Sequence, residues 1–380
     1  MPVIVDPEIR ILPDNHKIFV LHPGSGKRFY ADFRDSESVF LDLPGVKFDA
    51  APTTDTPELR NLLRMSRAIA NWRRNGEKGE PPSRDPSKHT VANPAVQTPK
   101  LAHAIFDLYH EAKPGDLVII PGKGYNSTVY IGEFVGEFDP EHRVSSIRYP
   151  AELIPARKVR WLPAALAKGQ FNRRLIRLMQ NRQAIIQING DAEHREIYNI
   201  AYGDYIWKES SGSLIRVTEE EIDLNDLNKA VDLTNYFAAQ YLALKKGELS
   251  KFLELDFHNA IEAYYDKNYF GGVSVEIHSP GYFNRRMKDA LLAGYVSAML
   301  ALSASGVTPQ EAKDAQVVNS ANIEASICDM ELETDIRQTM EMYANIHLWE
   351  EVICPKRELT KVTVGLKTDV TIKKTAKNPD

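Results

Sequence analysis

Cysteine is scarce: 380 residues carry two, Cys328 and Cys354. That is too few for a disulfide framework, and the pair lacks the spacing of a metal motif. Long apolar runs are missing as well. The best candidate, Ala290 to Ser303, is 14 residues long with Arg285, Arg286, Lys288 and Asp289 just ahead of it. A membrane span needs about 18, and a core or oligomer helix is the expectation here, ahead of a membrane-active one. Met1 to Arg10 contain no basic segment followed by an apolar run, so no signal peptide is expected. Nor does one sign of charge dominate. The 47 Lys+Arg against 52 Asp+Glu leave a net of −5, which excludes a protein that coats nucleic acid by bulk charge but not local patches. With 43% hydrophobic residues, the expectation is a cytoplasmic globular chain of two or three domains.

Punctuation along the chain divides it. Residues 1–50 read as an N-terminal β segment with short strands at Lys17–Leu21, Arg28–Phe33 and Ser38–Leu43. Residues 51–113 read as helices. Thr56-Pro57 opens the first, with Leu59, Leu62, Leu63, Ile69 and Trp72 on one side, and Thr98-Pro99 opens the second. Between them, 75–99 is a polar, proline-rich loop expected to be mobile. Residues 114–190 form a compact β unit, with strands at Leu117–Ile120, Thr128–Val135, Val159–Leu162 and Ala184–Ile188 and a helix at Phe171–Met179. Residues 191–380 read as a mainly helical α/β domain. Its helices are expected around Leu227–Leu242, Leu253–Tyr265, Met287–Leu302 and Glu324–Trp349, with a strand at Val273–Ile277. Its end, Lys361–Leu366 and Asp369–Lys373, reads as a hairpin around Lys367-Thr368. The expected class is α+β.

The near-neutral sum hides a segregation. From Arg143 to Arg182 ten basic residues face one acid, Glu152, a net of +9. Asp191 to Asp266 is strongly acidic, with sixteen Asp and Glu. One reading is a groove that contacts phosphates, each contact releasing a counterion. The other is a basic face that docks on an acidic domain or partner.

Other chemistry is thin. His22-Pro23-Gly24-Ser25-Gly26-Lys27 lacks the G-x-x-x-x-G-K-[ST] spacing and is not read as a phosphate loop. His278 and Glu276 sit at i and i+2 of one strand, which a polar strand face explains better than a metal does. Cys354 and His347 lack a third group to orient them. No catalytic residue can be named from the sequence, and no cofactor is expected.

The order Pro114-Gly115-Asp116-Leu117-Val118-Ile119-Ile120-Pro121, Val129-Tyr130-Ile131-Gly132-Glu133-Phe134-Val135-Gly136, Arg157-Lys158-Val159-Arg160-Trp161-Leu162, continuing to Gln187-Ile188-Asn189-Gly190-Asp191, carries a resemblance. It resembles the small PUA/EVE-like β-barrel found ahead of the nuclease domain in Mrr-like restriction proteins, over about eighty residues. The resemblance implies a module that holds a nucleobase, in several relatives a modified base extruded from DNA. Such a base needs aromatic faces, edge-directed donors and cations on the flanking phosphates. Tyr130 and Trp161 are candidates for the faces. Lys123, Tyr125 and Asn126 lie in a Gly-bearing loop, and Arg143, Arg148, Arg160, Arg173 and Arg174 are candidates for the phosphates. Each has a plainer alternative. Trp161 and Tyr130 can be core residues, Gly122 and Gly124 a hairpin turn, and the Arg173 and Arg174 pair an ordinary exposed helix face.

Mrr-like relatives continue into a nuclease with a metal held by an Asp and a Glu-x-Lys element. Leu253 to Tyr265 and Gly271 to Val275 resemble its opening, but no such acids follow. The lone Glu311-Ala312-Lys313 sits just after Thr308-Pro309, the setting of a helix cap. The expectation is therefore a nucleic-acid-binding sensor of restriction or anti-phage type that reads DNA, or RNA, through the barrel. Its acidic domain would form a homo-oligomer or signal to an effector protein. The alternatives are a divergent metal-dependent nuclease using Asp256, Glu276 or Glu311, and a scaffold whose basic face binds an acidic protein.

Overall fold

The computed structural model describes residues 3–90, 99–181, 183–276, 281–322 and 326–374. Residues 91–98 of the proline-rich stretch, Arg182, His278 and Glu324 lie outside them, as does the side chain of Glu276. The fold is α+β and divides into two compact units, residues 15–197 and residues 1–14 with 198–380.

The 15–197 unit is built on a sheet of six strands. Their order is Ile185–Ile188, Ile18–Leu21, Leu117–Pro121, Thr128–Phe134, Arg157–Ala167 and Ser38–Val39. All pairs are antiparallel except Ile18–Leu21 with Leu117–Pro121. The sheet is not confined to 114–190. Ile18, Phe19, Val20 and Leu21 are all buried, as a strand flanked on both edges and covered on both faces must be. Phe19, Val118, Ile120, Phe134 and Val159 pack with Phe29, Phe33, Phe40, Leu59, Leu63 and Ile105 into one core.

The helices contributing that core are legible locally. Thr56 Oγ1 accepts the Leu59 amide at 3.2 Å, Pro57 takes the first helical position, and helix Pro57–Arg74 buries Leu59, Leu63, Ile69 and Ala70. Pro99–Phe106 runs on through a wider turn at Asp107–Glu111 that buries Leu108 and Tyr109. The Arg28–Phe33 strand is not formed: Tyr30–Ser36 is a helix. Phe29 and Phe33 are both fully buried, and their four-residue spacing is that of a helix face, not a strand. Only Ser38–Val39 of the expected Ser38–Leu43 strand pairs.

The other unit has two sheets. Phe270–Glu276, Gly281–Met287, Ser210–Val217, Tyr205–Trp207 and Arg10–Leu12 form the larger. Gln316–Val317, Val3–Asp6 and Thr371–Lys374 form the smaller, so the first residues belong with this unit, not with 15–50. Helix Leu292–Ala304 is its centre, with every residue from Leu292 to Ser303 buried. Gly294 lets the side chain of Ile9 pack against the helix, since a Cβ there would lie 2.5 Å from Ile9 Cδ1 and push it aside. Leu224–Lys245 and Ile327–Tyr343 pack around it.

Two further expectations fail. The Leu253–Tyr265 helix is split into Leu249–Leu253 and Phe257–Tyr264, because Asp256 turns extended and caps the second. The C-terminal hairpin is absent: Cys354–Val364 is a helix closed by Gly365 at φ 63°. Leu366–Lys367 then pairs with Arg216 and Val217, while Thr371–Lys374 pairs with Val3–Asp6. Thr360 and Val364, both buried, mark a helical face in what reads as strand alternation.

Candidate nucleic-acid interface

Strands Thr128–Phe134 and Arg157–Ala167 are paired through a bulge between Tyr130 and Gly132. A bulge re-aims side chains, and this one brings Tyr130 and Trp161 together with ring centroids 5.9 Å apart. Trp161 stands opposite Gly132, and its ring occupies the space a side chain there would need, a Cβ coming within 2.9 Å of it. Trp161 is thus neither core nor free: its ring is half-buried, and its Nε1 is buried with no hydrogen-bond partner.

A third ring completes the group. Tyr30, on the helix misread as strand, lies 5.3 Å from Tyr130 and donates its hydroxyl to the Thr128 carbonyl at 2.6 Å. Burial, and then the neighbouring Tyr130, raise the Tyr30 hydroxyl well above the ordinary tyrosine range. Arg34, one turn further on the same helix, is exposed and makes two hydrogen bonds to Asp35, at 2.6 and 3.1 Å. The Phe29 and Phe33 spacing was the signal that could have found Tyr30 and Arg34.

Lys123, Tyr125 and Asn126 are exposed in the 122–127 turn. Tyr125 is 61% exposed, yet its ring lies over Gly169, where a Cβ would approach within 2.3 Å. The turn is tied to the following segment by Gly169 N–H to Tyr125 O at 2.9 Å and Lys168 N–H to Ser127 O at 3.0 Å.

The ten-cation window does not present ten free charges. Arg157 is buried, donating to the carbonyls of Leu108, Ala112 and Gly136 at 3.1, 2.9 and 2.9 Å. Lys168 is also buried and donates to Gly122 O at 2.7 Å. Arg160 pairs with the buried carboxylate of Glu133, and Arg174 with that of Glu193. Arg143 lies 3.7 Å from Glu141, and Arg148 donates from Nε to the Arg28 carbonyl at 3.0 Å. Arg173 is exposed at the first turn of helix Arg173–Met179, which Asn172 caps. The structure therefore joins Tyr130 to Trp161 and Arg173 to Arg174, but the ten candidates do not converge on one point.

Two of the three carboxylates offered for a divergent nuclease are used otherwise, and the side chain of the third, Glu276, lies outside the described residues. Asp256 accepts the amides of His258 and Asn259 at 3.1 and 3.0 Å. Glu311 closes a capping box with Thr308 and bonds Lys374 at 3.0 Å. Among the described residues no group of three or more His, Cys, Asp or Glu could hold a metal ion, and no helix is long and apolar enough to cross a membrane. Cavities of about 690, 440 and 310 Å³ open among the described residues of the 15–197 unit, and these are not lined by Tyr130 or Trp161. No protein-family model, curated protein or solved structure matches the chain at a significant level.

Proposed function

We propose that the 15–197 unit is a nucleic-acid-binding module, a PUA/EVE-like reader of DNA in a restriction or anti-phage sensor, and that bases stack on the Tyr30, Tyr130 and Trp161 group. The observation that carries this reading is the half-buried Trp161 ring, held over Gly132 with an unpartnered indole N–H. A nucleobase supplies a π face for the part of that ring that remains exposed. Base-on-aromatic stacking contributes roughly 1–3 kcal/mol per base. The acidic, mainly helical unit is then the part that oligomerises or passes binding to an effector.

The test is fluorescence anisotropy on the full chain with plain, methylated, hydroxymethylated and glucosylated duplexes, and matched single-stranded DNA and RNA. Trp161→Ala should weaken binding by roughly 5- to 150-fold, the equivalent of one stacked base. Trp161→Phe should keep the face and lose the N–H. Salt dependence is the second readout. Lys123, Arg148, Lys158, Arg173 and Arg177 are exposed and have no acid partner among the described ion pairs. At about −0.9 per phosphate they limit the slope of log K against log salt to roughly −4 to −5. Binding that Trp161→Ala leaves untouched, or that heparin matches, would overturn the reading in favour of an acidic protein partner.

A further inference from the structure

The cavity of about 690 Å³ lies between two elements of the 15–197 unit. One is the helix Pro99–Phe106 with the wide turn that follows it, and the other is the chain entering the strand Ile185–Ile188. Lys100, His103, Ala104 and Asp107 line the helix wall, at positions that share one helical face. Lys100 and His103 are exposed, and Asp107 is half-buried. The Asp107 carboxylate has no hydrogen bond and no ion pair among the described residues, and the neighbouring Lys17 is taken by Glu111 at 2.7 Å. Burial lifts the Asp107 carboxyl above its ordinary range, and His103 opposes the rise.

The opposite wall includes Ile185, the first residue of the outermost strand of the six-stranded sheet, which is paired only with Ile18–Leu21. The direction of its backbone groups follows from one bond. His22 N–H donates to the Ala184 carbonyl at 2.8 Å, and the register sets those two residues opposite each other. Bonded and non-bonded positions alternate in an antiparallel pair, so Ile186 and Ile188 turn their N–H and C=O groups to Val20 and Ile18. Those of Ile185 and Gln187 turn to the other side, and no described hydrogen bond uses them. The strand carries none of the usual guards of an edge, neither charge nor proline nor bulge. An unpaired backbone donor and acceptor at Ile185 and an unpaired carboxylate at Asp107 thus belong to residues that line one cavity.

We propose that this cavity binds a short extended peptide with free ends, laid between the helix and the edge strand. The peptide takes backbone bonds from Ile185, the mode by which sheet edges recognise extended chains. Its α-ammonium meets Asp107 and its carboxylate meets Lys100. The spacing fits both charges: the helix rises about 10 Å from Lys100 to Asp107, and an extended chain covers that length with about three residues. Ala104 stands between the two charges and leaves room for a side chain of the peptide. His103 shares this wall and offers its ring nitrogens to a peptide amide. The volume lies within the few hundred Å³ typical of small-ligand sites. This inference does not rest on stacking at Trp161.

The test is calorimetric titration of the full chain at pH 7 with trialanine, its N-acetylated, C-amidated and doubly capped forms, and alanine itself. Trialanine should bind, and N-acetylation should weaken it at least tenfold, the equivalent of one lost hydrogen bond to a charged group. Amidation should weaken it about two- to fivefold, because Lys100 is exposed. Asp107→Asn should remove the preference for a free amino end, while Lys88→Met, at an exposed position outside the cavity lining, should not. In case Asp107→Asn disturbs the helix, the unmodified chain gives a second readout by NMR. Saturating trialanine should shift the Ile185 amide and slow its exchange, leave the Ile186 amide in place, and lower the titration midpoint of the Asp107 carboxyl. Equal binding of free and capped tripeptides, or alanine bound as tightly as trialanine, would overturn the proposal. So would an Ile185 amide unmoved by millimolar trialanine.

Discussion

The carboxyl of Asp204 is buried, and burial pushes its pKa up to about 7. The nearby Asp369 carboxylate, itself paired with Arg216 at 2.9 Å, adds to the rise. The Leu214 amide, which donates to Oδ1 at 2.7 Å, opposes it. Ser213 and Ser297 bond each other at 2.8 Å, and Oδ2 of Asp204 is left buried without a hydrogen-bond partner. In the unfolded chain the same group titrates near 4. Between about pH 4 and pH 7 the folded state holds a proton that the unfolded state has lost, so stability falls as pH rises through that window. At 1.36 kcal/mol per pH unit, the loss from pH 5 to pH 8 is roughly 3 kcal/mol for this one group.

Asp204→Asn removes the ionisation and keeps the shape. The variant is expected to lie within about 1 kcal/mol of the parent at pH 5, where the loss of one neutral hydrogen-bond pattern for another is nearly even. At pH 8 it should be the more stable by roughly 3 kcal/mol. Urea denaturation followed by far-UV circular dichroism at both pH values gives the difference. Hydrogen exchange at the Leu214 amide assigns it to the 198–380 unit, and carboxyl NMR gives the midpoint directly. A variant no more stable than the parent at pH 8, with the same slope against pH, would refute the argument that the carboxyl is held neutral.

Three other substitutions test the packing. Gly132→Ala drives a methyl into the Trp161 ring and should cost about 1–3 kcal/mol, the usual price of overpacking; a lower urea midpoint with quenched or shifted indole fluorescence is the readout. Gly24→Ala meets the buried Phe29 ring and a left-handed backbone together, so at least 1–2 kcal/mol should be lost, seen as a lower thermal midpoint. Arg157→Met leaves the Leu108, Ala112 and Gly136 carbonyls without their donor. At about 1–3 kcal/mol for an unsatisfied buried group, it should destabilise the unit strongly. The salt slope of any nucleic-acid binding by the folded fraction should not change.

What was legible in the sequence was what local chemistry specifies. Thr56-Pro57 announces a helix because a hydroxyl cap and a proline each solve a problem of the first turn. Thr308 with Glu311 announces a capping box, which is what forms. The strands Leu117–Pro121 and Thr128–Phe134 follow from apolar β-branched runs between turn residues. Sheet order was not legible, because nothing near Ile18 to Leu21 reveals that Leu117 and Ile185 will flank it. The site was half legible for the same reason. Tyr130 and Trp161 are on adjacent strands and could be named together. Tyr30 joins them only through a helix whose Phe29 and Phe33 period of four is hidden in a run that also fits strand alternation.

Charge shows the same boundary between local and non-local information. A count along the window from Arg143 to Arg182 gives ten cations against one acid, but the acids that matter are elsewhere in the chain. Glu133 and Glu193 reach Arg160 and Arg174 from outside the window, and Arg157 has exchanged water for three carbonyls. Conversely, Lys27 and Lys168 are 141 positions apart and draw no attention as a pair in the sequence. In the fold burial, and then Lys168, push Lys27 down to about 8. Arg157 gives both terminal guanidinium nitrogens to carbonyls, while its Nε is buried without a partner. The charge a window presents therefore differs from the charge it contains, because the groups that cancel it arrive from other elements of the fold.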